Sequence, residues 1–188
     1  MIEVEKKFKP STEQLNAMIA DAEFLGEKVL HDVYYDYPDN RLFRGFIKFR
    51  SRNGVFELKI SRRELADKDI GVEKETEDAE EVKKYFNTKK DLQTFVNEEM
   101  YVFSNYKNTR KKYKNGEFHI DVDKLDFGHN VVEIEIMVEK IEDVKNAKES
   151  IVNFAKKYNF DLGEVPSKGE KYFEIVEPGR YKELYGDK

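Results

Sequence analysis

The chain has 188 residues and no cysteine, so it is long enough to bury a core as one domain, and a disulfide framework or thiolate zinc site is excluded. Charged residues make up 39% of the chain, but 34 basic and 39 acidic residues leave a net charge of only -5, which argues against a general nucleic-acid binder. The 14 Phe and 11 Tyr supply a core that a disordered chain would lack, and no apolar run reaches the roughly 18 residues of a membrane span.

In the first half of the chain, residue patterns predict four strands and one capped helix. Ser11 is the predicted N-cap of the helix, with Gln14 three residues on in a capping-box pattern. The pair Asn53-Gly54 is a strong hairpin signal between two of the strands. In chain order, the predicted elements are a strand over 2–8, a helix over 11–22, and strands over 29–37, 41–52 and 55–61.

The second half is predicted to hold four more strands, and a second hairpin is expected at Asn115-Gly116. These elements are a strand over 72–76, helical segments over 78–98, strands over 101–114, 117–126 and 131–138, an amphipathic helix over 142–159, and short helices beyond. About eight mostly antiparallel strands are enough for a closed sheet. We therefore predict an α+β protein, a closed antiparallel β-barrel with helices packed on its outside.

Charged residues fill one parity of most of these strands, and apolar residues fill the other. In the first strand Glu3, Glu5 and Lys7 share one face. The same alternation recurs at Lys48/Arg50/Arg52, Glu57/Lys59, Glu73/Glu75, Asp121/Asp123 and Glu133/Glu135. One interpretation is a solvated outer face with cross-strand ion pairs, each contributing under ~1 kcal/mol. The other is a closed sheet whose interior is a tunnel with a basic wall and an acidic wall.

A tunnel of this kind predicts chemistry on a polyphosphate. Guanidinium and ammonium groups hold phosphate oxygens well. Clustered carboxylates would repel the same phosphates unless a hard divalent cation lies between them, and Mg²⁺ (or Mn²⁺) is suited to that position. A tunnel with both walls would therefore favour metal-assisted chemistry on a substrate with several phosphates, whereas a solvated outer face would carry no such chemistry.

The N-terminal Glu3-x-Glu5-x-Lys7 resembles the ExExK signature of the CYTH family, also called triphosphate tunnel metalloenzymes. The resemblance extends over most of the chain, and its order is closer to the thiamine triphosphatase branch than to the cyclase branch. The other blocks that resemble the family are 32–38, 50–52, 56–59, 73–75, Arg110, 121–128, Glu133-x-Glu135 and Lys168.

The resemblance implies a role for each matching residue. The triphosphate would be bound by Lys7, Arg50, Arg52, Lys59, Arg110 and Lys168. The metal would be held by Glu5, Asp121, Glu133 and Glu135, while further carboxylates orient neighbours or hold a second metal, namely Glu3, Glu75 and Asp123. In the thiamine triphosphatase branch a Tyr–Lys pair activates water, and Tyr34 with Lys59 match it. Lys59 would need a depressed pKa, which we expect Arg50 and Arg52 to supply by like-charge repulsion.

One position departs from that branch. Its aromatic residue two positions before the first arginine stacks on the thiazolium ring, whereas this chain has Lys48 there and no Trp. A lysine adds repulsion to a cationic ring instead of cation–π attraction. This departure favours an inorganic triphosphate or a nucleotide over thiamine triphosphate.

These observations give one set of expectations. We expect a single cytoplasmic CYTH-like domain over 1–188, a monomer or homodimer, whose partner is a small-molecule triphosphate and neither a nucleic acid nor a membrane. The expected activity is metal-dependent hydrolysis of tripolyphosphate or thiamine triphosphate. Two alternatives stay open, a class IV adenylyl cyclase that makes cyclic AMP from ATP and a polyphosphate-binding module without turnover.

Overall fold

The computed structural model describes residues 1–66 and 70–186, and eight antiparallel strands form its centre. The predicted domain also includes 67–69 and 187–188, which lie outside the described residues. The strands are β1 (Ile2–Phe8), β2 (Glu23–Asp36), β3 (Ile47–Arg52), β4 (Val55–Ser61), β5 (Ile70–Thr76), β6 (Tyr101–Asn115), β7 (Phe118–Leu125) and β8 (Asn130–Val138). Around the sheet their order is β1-β5-β4-β3-β2-β6-β7-β8, and β8 pairs with β1 again, so the sheet closes in a ring.

Seven α-helices lie among the described residues, and none of them is both long and apolar enough to cross a membrane. They are α1 (Thr12–Ala20), α2 (Arg41–Arg44), α3 (Ala79–Phe86), α4 (Leu92–Glu99), α5 (Val144–Lys157), α6 (Lys168–Val176) and α7 (Pro178–Tyr185). The predicted capping box is present, since the Ser11 side chain accepts from the Gln14 backbone N–H while the Gln14 side chain accepts from Ser11 N–H. The ring of antiparallel strands with helices confirms the predicted fold class in outline.

The apolar parity of the ring faces outward and is covered by helices. On one side, α5 buries the predicted stripe against β1, β5, β7 and β8, which contribute residues such as Val4, Val72 and Ile134. On another side, α3 and α4 pack against Phe49 of β3 and Leu58 of β4. Burial of these apolar side chains is the main favourable term that holds helices to a sheet. The charged parity is thereby left on the inside of the ring.

The predicted strand over 41–52 is wrong in its first half. The Asp36 carboxylate accepts hydrogen bonds from the backbone N–H groups of Leu42 (3.0 Å) and Phe43 (2.9 Å), which fixes a single helical turn, α2. Phe46 then adopts a left-handed φ of 58° before β3 begins. The predicted strand over 29–37 is the second part of a longer strand, β2. This strand begins earlier, at Glu23, and its pairing with β6 shifts in register at Gly26.

At one end of the ring, part of the interior is apolar and is covered by α6. By the strand parity, Tyr106, Leu125 and Val131 point inward, and all three are buried. Tyr172 of α6 lies over them, with its ring centroid 5.6 Å from that of Tyr106. Phe127, from the turn between β7 and β8, also contacts Tyr172. The interior therefore has a charged centre and, at this end, an apolar closure.

Candidate active site

The charged side chains of β1 point into the ring and meet the charged side chains of both neighbouring strands. Glu3 lies opposite Glu73 of β5, and on the other side Glu5 lies opposite Glu135 and Lys7 opposite Glu133 of β8. Residues that face each other in antiparallel strands share one face of the sheet. Glu3, Glu5 and Glu133 are 4%, 6% and 4% exposed, so the solvated outer face considered from the sequence is excluded for them.

Arg110 is the centre of the first ionic cluster, near the closed end of the ring. Its guanidinium donates to both oxygens of Asp123 at 2.7 and 2.6 Å and to Glu133 at 2.9 Å, and it also pairs with Asp121. Lys168, the first residue of α6, brings its ammonium to Glu133 at 2.6 Å and also to Asp123. The helix that closes the ring therefore also supplies a cation to its interior.

Lys59 of β4 is the centre of a second cluster. Its Nζ lies 2.9 Å from Glu3, 3.0 Å from Glu75 and 3.4 Å from Glu73. Lys48 of β3 reaches the same Glu73 at 2.6 Å while keeping its side chain 43% exposed. This cluster lies where β1, β4 and β5 adjoin.

Arg50 and Arg52 of β3 form the third cluster with acids of β2 and β4. Arg52 binds both oxygens of Asp32, at 2.7 and 3.0 Å. Arg50 pairs with Glu57 and lies 3.8 Å from Asp32, and it donates to the Tyr34 hydroxyl at 2.8 Å. Bidentate contacts of this kind are also how arginine holds phosphate.

Among the described residues, two groups of carboxylates could hold a metal ion. Glu3, Glu5 and Glu73 offer oxygens within 4.8 Å of one another, and Glu5, Glu133 and Glu135 do the same. Sets of carboxylate oxygens are the donors that Mg²⁺ and Mn²⁺ prefer, so the residues fit such an ion. Glu5 belongs to both groups. The other predicted metal residues, Asp121, Asp123 and Glu75, instead face Arg110, Lys168 and Lys59.

The surroundings of these carboxyls shift their pKa values in opposite directions. Burial raises the pKa of Glu3 to about 9, and the like charges of Glu5 and Glu135 add to this although Lys59 opposes it. Burial also raises the pKa of Glu135 to about 8, helped by surrounding carboxylates. For Glu5 and Glu133 burial acts in the same sense, but nearby cations outweigh it and hold the pKa of both below the usual range.

These shifts predict that the metal-free protein loses stability as pH rises from 5 to 8. Above about pH 4.5 an unfolded Glu releases its proton, whereas folded Glu3 and Glu135 keep theirs to about pH 9 and 8, so rising pH favours the unfolded chain. Glu5 and Glu133 do not oppose this trend, because their stabilising charge is lost only below that window. We expect the thermal midpoint in chelator to fall by about 5 °C or more between pH 5 and 8.

The matched variant for that measurement is Glu3→Gln, which cannot titrate and should flatten the slope. Glu142→Gln, at an exposed position, should keep the wild-type slope. A wild-type midpoint that rises from pH 5 to pH 8 in chelator would contradict the assignment of Glu3 and Glu135 as proton-retaining carboxyls.

The predicted environment of Lys59 is wrong. Burial does lower the pKa of its ammonium, but Glu73, Glu3 and other surrounding carboxylates outweigh burial and hold the pKa well above its ordinary value. The repulsion expected from Arg50 and Arg52 does not decide it. Tyr34 and Lys59 also keep separate partners, since the Tyr34 hydroxyl accepts from Arg50 while Lys59 pairs with acids of β1 and β5.

The sequence interpretation assigned no role to three acids of the ring interior, Asp32, Glu57 and Glu73. They are buried, and each neutralises at least one of the predicted phosphate-binding cations. Glu73 also belongs to a candidate metal group. Strand parity could have identified two of these acids as interior residues. Glu73 shares a strand face with Glu75, and Glu57 shares one with Lys59.

The sequence matches the CYTH domain model over residues 1–165 of the chain, while no curated protein matches it. The PH1819 protein from Pyrococcus horikoshii OT3 is 22% identical with a TM-score of 0.67, covering 92% of this chain and 98% of that one. A candidate adenylate cyclase from Vibrio parahaemolyticus is 21% identical (TM-score 0.63; 90% and 97% covered). A candidate adenylyl cyclase from Hippeastrum, described as having a dominant triphosphatase activity, is 17% identical (TM-score 0.57; 95% of each chain covered).

At these identities the solved structures show a shared fold alone. The CYTH domain match is different in kind, because it rests on the sequence and spans all eight strands of the ring and α5. It includes the ExExK stretch of β1 and the paired glutamates of β8. The chain belongs to the CYTH family.

Proposed function

We propose that the protein is a metal-dependent hydrolase of triphosphate compounds, which binds its substrate inside the ring and cleaves it by attack of water on the terminal phosphorus. The observation that carries this proposal is the set of cations that line the ring interior and are held there by carboxylates. They are Lys7, Arg50, Arg52, Lys59, Arg110 and Lys168. A triphosphate that enters would replace carboxylates as the partner of these cations, since guanidinium groups bind phosphate oxygens in the same bidentate way.

The candidate metal ligands are Glu5 with Glu133 and Glu135, and Glu5 with Glu3 and Glu73. When bound, Mg²⁺ or Mn²⁺ supplies positive charge between these carboxylates and the phosphate oxygens. We propose that the remaining acids orient the cations: Asp121 and Asp123 hold Arg110, and Glu75 holds Lys59.

The chain's own contribution to hydrolysis is positioning and charge, as is usual for phosphoryl transfer. Arg110 and Lys168, near the closed end, would take phosphate oxygens there. Lys59 stays protonated among its carboxylates, so we propose that it neutralises phosphate charge rather than acting as a base. The Tyr34 hydroxyl accepts a hydrogen bond from the Arg50 guanidinium, and we propose that it holds this guanidinium in place for the substrate.

A cyclase is the second candidate, and the shared fold with the Vibrio parahaemolyticus candidate adenylate cyclase favours it. The same interior would then hold ATP, and the ribose 3′-oxygen would attack the α-phosphorus.

Lys48 affects which substrate is preferred, for a hydrolase and for a cyclase alike. Its ammonium lies 2.6 Å from Glu73, where it adds a cation near the carboxylates and disfavours a thiazolium ring. Inorganic triphosphate and nucleotides are therefore preferred to thiamine triphosphate.

A product panel tests these functions directly. The purified chain is incubated with tripolyphosphate, thiamine triphosphate and ATP, each with Mg²⁺, with Mn²⁺ and with chelator. We expect metal-dependent orthophosphate release, fastest with tripolyphosphate. Pyrophosphate with cyclic AMP from ATP would identify the cyclase instead. Tight triphosphate binding with no product from any substrate would identify a binding module and overturn the proposal.

A further inference from the structure

Asn108 of β6 is buried inside the ring without any hydrogen-bond partner. It is 1% exposed, and neither its Nδ2 nor its Oδ1 has a partner among the described residues. An amide has two donor hydrogens and an acceptor oxygen, so a buried amide with none of them used is costly to the folded state. Such a group needs either a structural reason or a ligand.

The described side chains around Asn108 do not partner its amide. Across the sheet it lies opposite Leu30 of β2 and Leu125 of β7, both apolar and buried. On its own strand the next inward side chains are Tyr106 and Arg110, and Arg110 is already held by carboxylates. Asn108 therefore lies at the boundary between the charged centre and the apolar closure, where it has no protein group to bind.

A second unused donor faces the same interior. The Nε of Arg50 is buried and has no partner, although its other nitrogens contact Tyr34 and Glu57. Charge-assisted N–H groups normally find an acceptor when buried. The interior thus holds both a neutral and a charged N–H donor without a partner, and either could donate to a phosphate oxygen.

The apolar closure by α6 determines which part of a substrate can lie next to Asn108. α6 places Tyr172 over the inward-facing Tyr106, so aromatic side chains lie across this end of the ring, where an organic group would have to displace them. Lys48, in contrast, keeps its side chain 43% exposed. We propose that Asn108 is a substrate-binding residue that contacts the unesterified terminal phosphoryl group of the triphosphate, with Nδ2 donating to a phosphate oxygen. This inference rests on the proposed function and gives the substrate a direction in the ring.

The test compares Asn108→Leu with Asn105→Leu, the same change on the exposed outer side of the same strand. Because leucine has a similar size and removes an unsatisfied amide, the thermal midpoint of Asn108→Leu in chelator should equal or exceed that of the wild type. The rise in midpoint caused by tripolyphosphate in chelator should be smaller than in the wild type. In the presence of Mg²⁺, KM for tripolyphosphate should rise about tenfold or more, as for a lost hydrogen bond to a charged group. Asn105→Leu removes an exposed hydrogen bond with His31, so its midpoint should change only slightly, and it should keep the wild-type tripolyphosphate effect and KM.

Asn108→Asp gives a second test that keeps the size of the side chain. Its carboxylate would repel phosphate, so it should weaken the tripolyphosphate effect at least as much as leucine does. The proposal is overturned if both variants keep the wild-type KM and the wild-type tripolyphosphate effect. If the wild type hydrolyses nothing, the proposed function fails, but a tripolyphosphate-induced midpoint rise that is reduced in Asn108→Leu and kept in Asn105→Leu would still establish Asn108 as a phosphate-binding group.

Discussion

Glu133→Gln is expected to reduce metal-dependent triphosphate hydrolysis by at least about 100-fold, since even indirect partners of metal sites contribute about 10–100-fold. Glu133 takes part in both proposed functions of the interior, the binding of a metal ion and the holding of phosphate-binding cations. It belongs to a candidate metal group with Glu5 and Glu135. It also pairs with Arg110 at 2.9 Å and Lys168 at 2.6 Å. Glutamine keeps the shape but removes the charge that a divalent cation requires.

The measurement is orthophosphate release from tripolyphosphate as Mg²⁺ is varied, together with the Mg²⁺-induced change in thermal midpoint. The control is Glu139→Gln, an exposed residue just beyond the same strand, which should behave as the wild type. Unchanged hydrolysis and an unchanged response to Mg²⁺ in Glu133→Gln would remove Glu133 from the metal site.

Arg110→Met is expected to destabilise the fold by about 3–5 kcal/mol, because it leaves several buried carboxylates without their cation. Arg110 is 8% exposed and contacts Asp121, Asp123 and Glu133. For a domain of this size the loss corresponds to roughly 10 °C in thermal midpoint. Without the guanidinium the pKa of these carboxyls should rise, so the deficit should be larger at pH 8 than at pH 5.

Lys111→Met is the matched control, since Lys111 is the next residue and its half-exposed side chain lies 3.6 Å from Glu27 on the outer face. Exposed ion pairs contribute at most about 1 kcal/mol, so its midpoint should change little. Equal midpoints for the two variants would mean that the Arg110 cluster does not hold the ring together. Hydrolysis should also be lost in Arg110→Met, at temperatures where the variant is still folded.

The parity of the charged residues was predictable because strands have a period of two and a closed sheet has only two faces. The hairpin at Asn53-Gly54 and the buried stripe of α5 followed from local rules in the same way. The single turn of α2 was not predictable, because it depends on the Asp36 carboxylate reaching backbone N–H groups several residues on.

The partners of each charged side chain were also beyond the sequence pattern. Lys59 was expected beside Arg50 and Arg52, whereas its closest partners come from β1 and β5. Such contacts depend on strand order and register around the ring, and β5 is separated from β1 by about sixty residues of chain. Parity assigns a side chain to the interior, but only the assembled ring decides which charges meet there.

Closure of the ring constrains the order in which its strands can pair during folding. β1 is flanked by β5 and β8, and its register with β8 joins Ile2 to Val138. During synthesis the first strand is therefore complete long before its second neighbour exists, and contacts of such long sequence separation form slowly. Until β8 is added, β1 and β7 each have an unpaired edge able to join another chain, and afterwards the ring has none. The ExExK strand is thus the place where the ring is sealed, and Glu5 meets Glu133 and Glu135 of its second candidate metal group only when β8 is added.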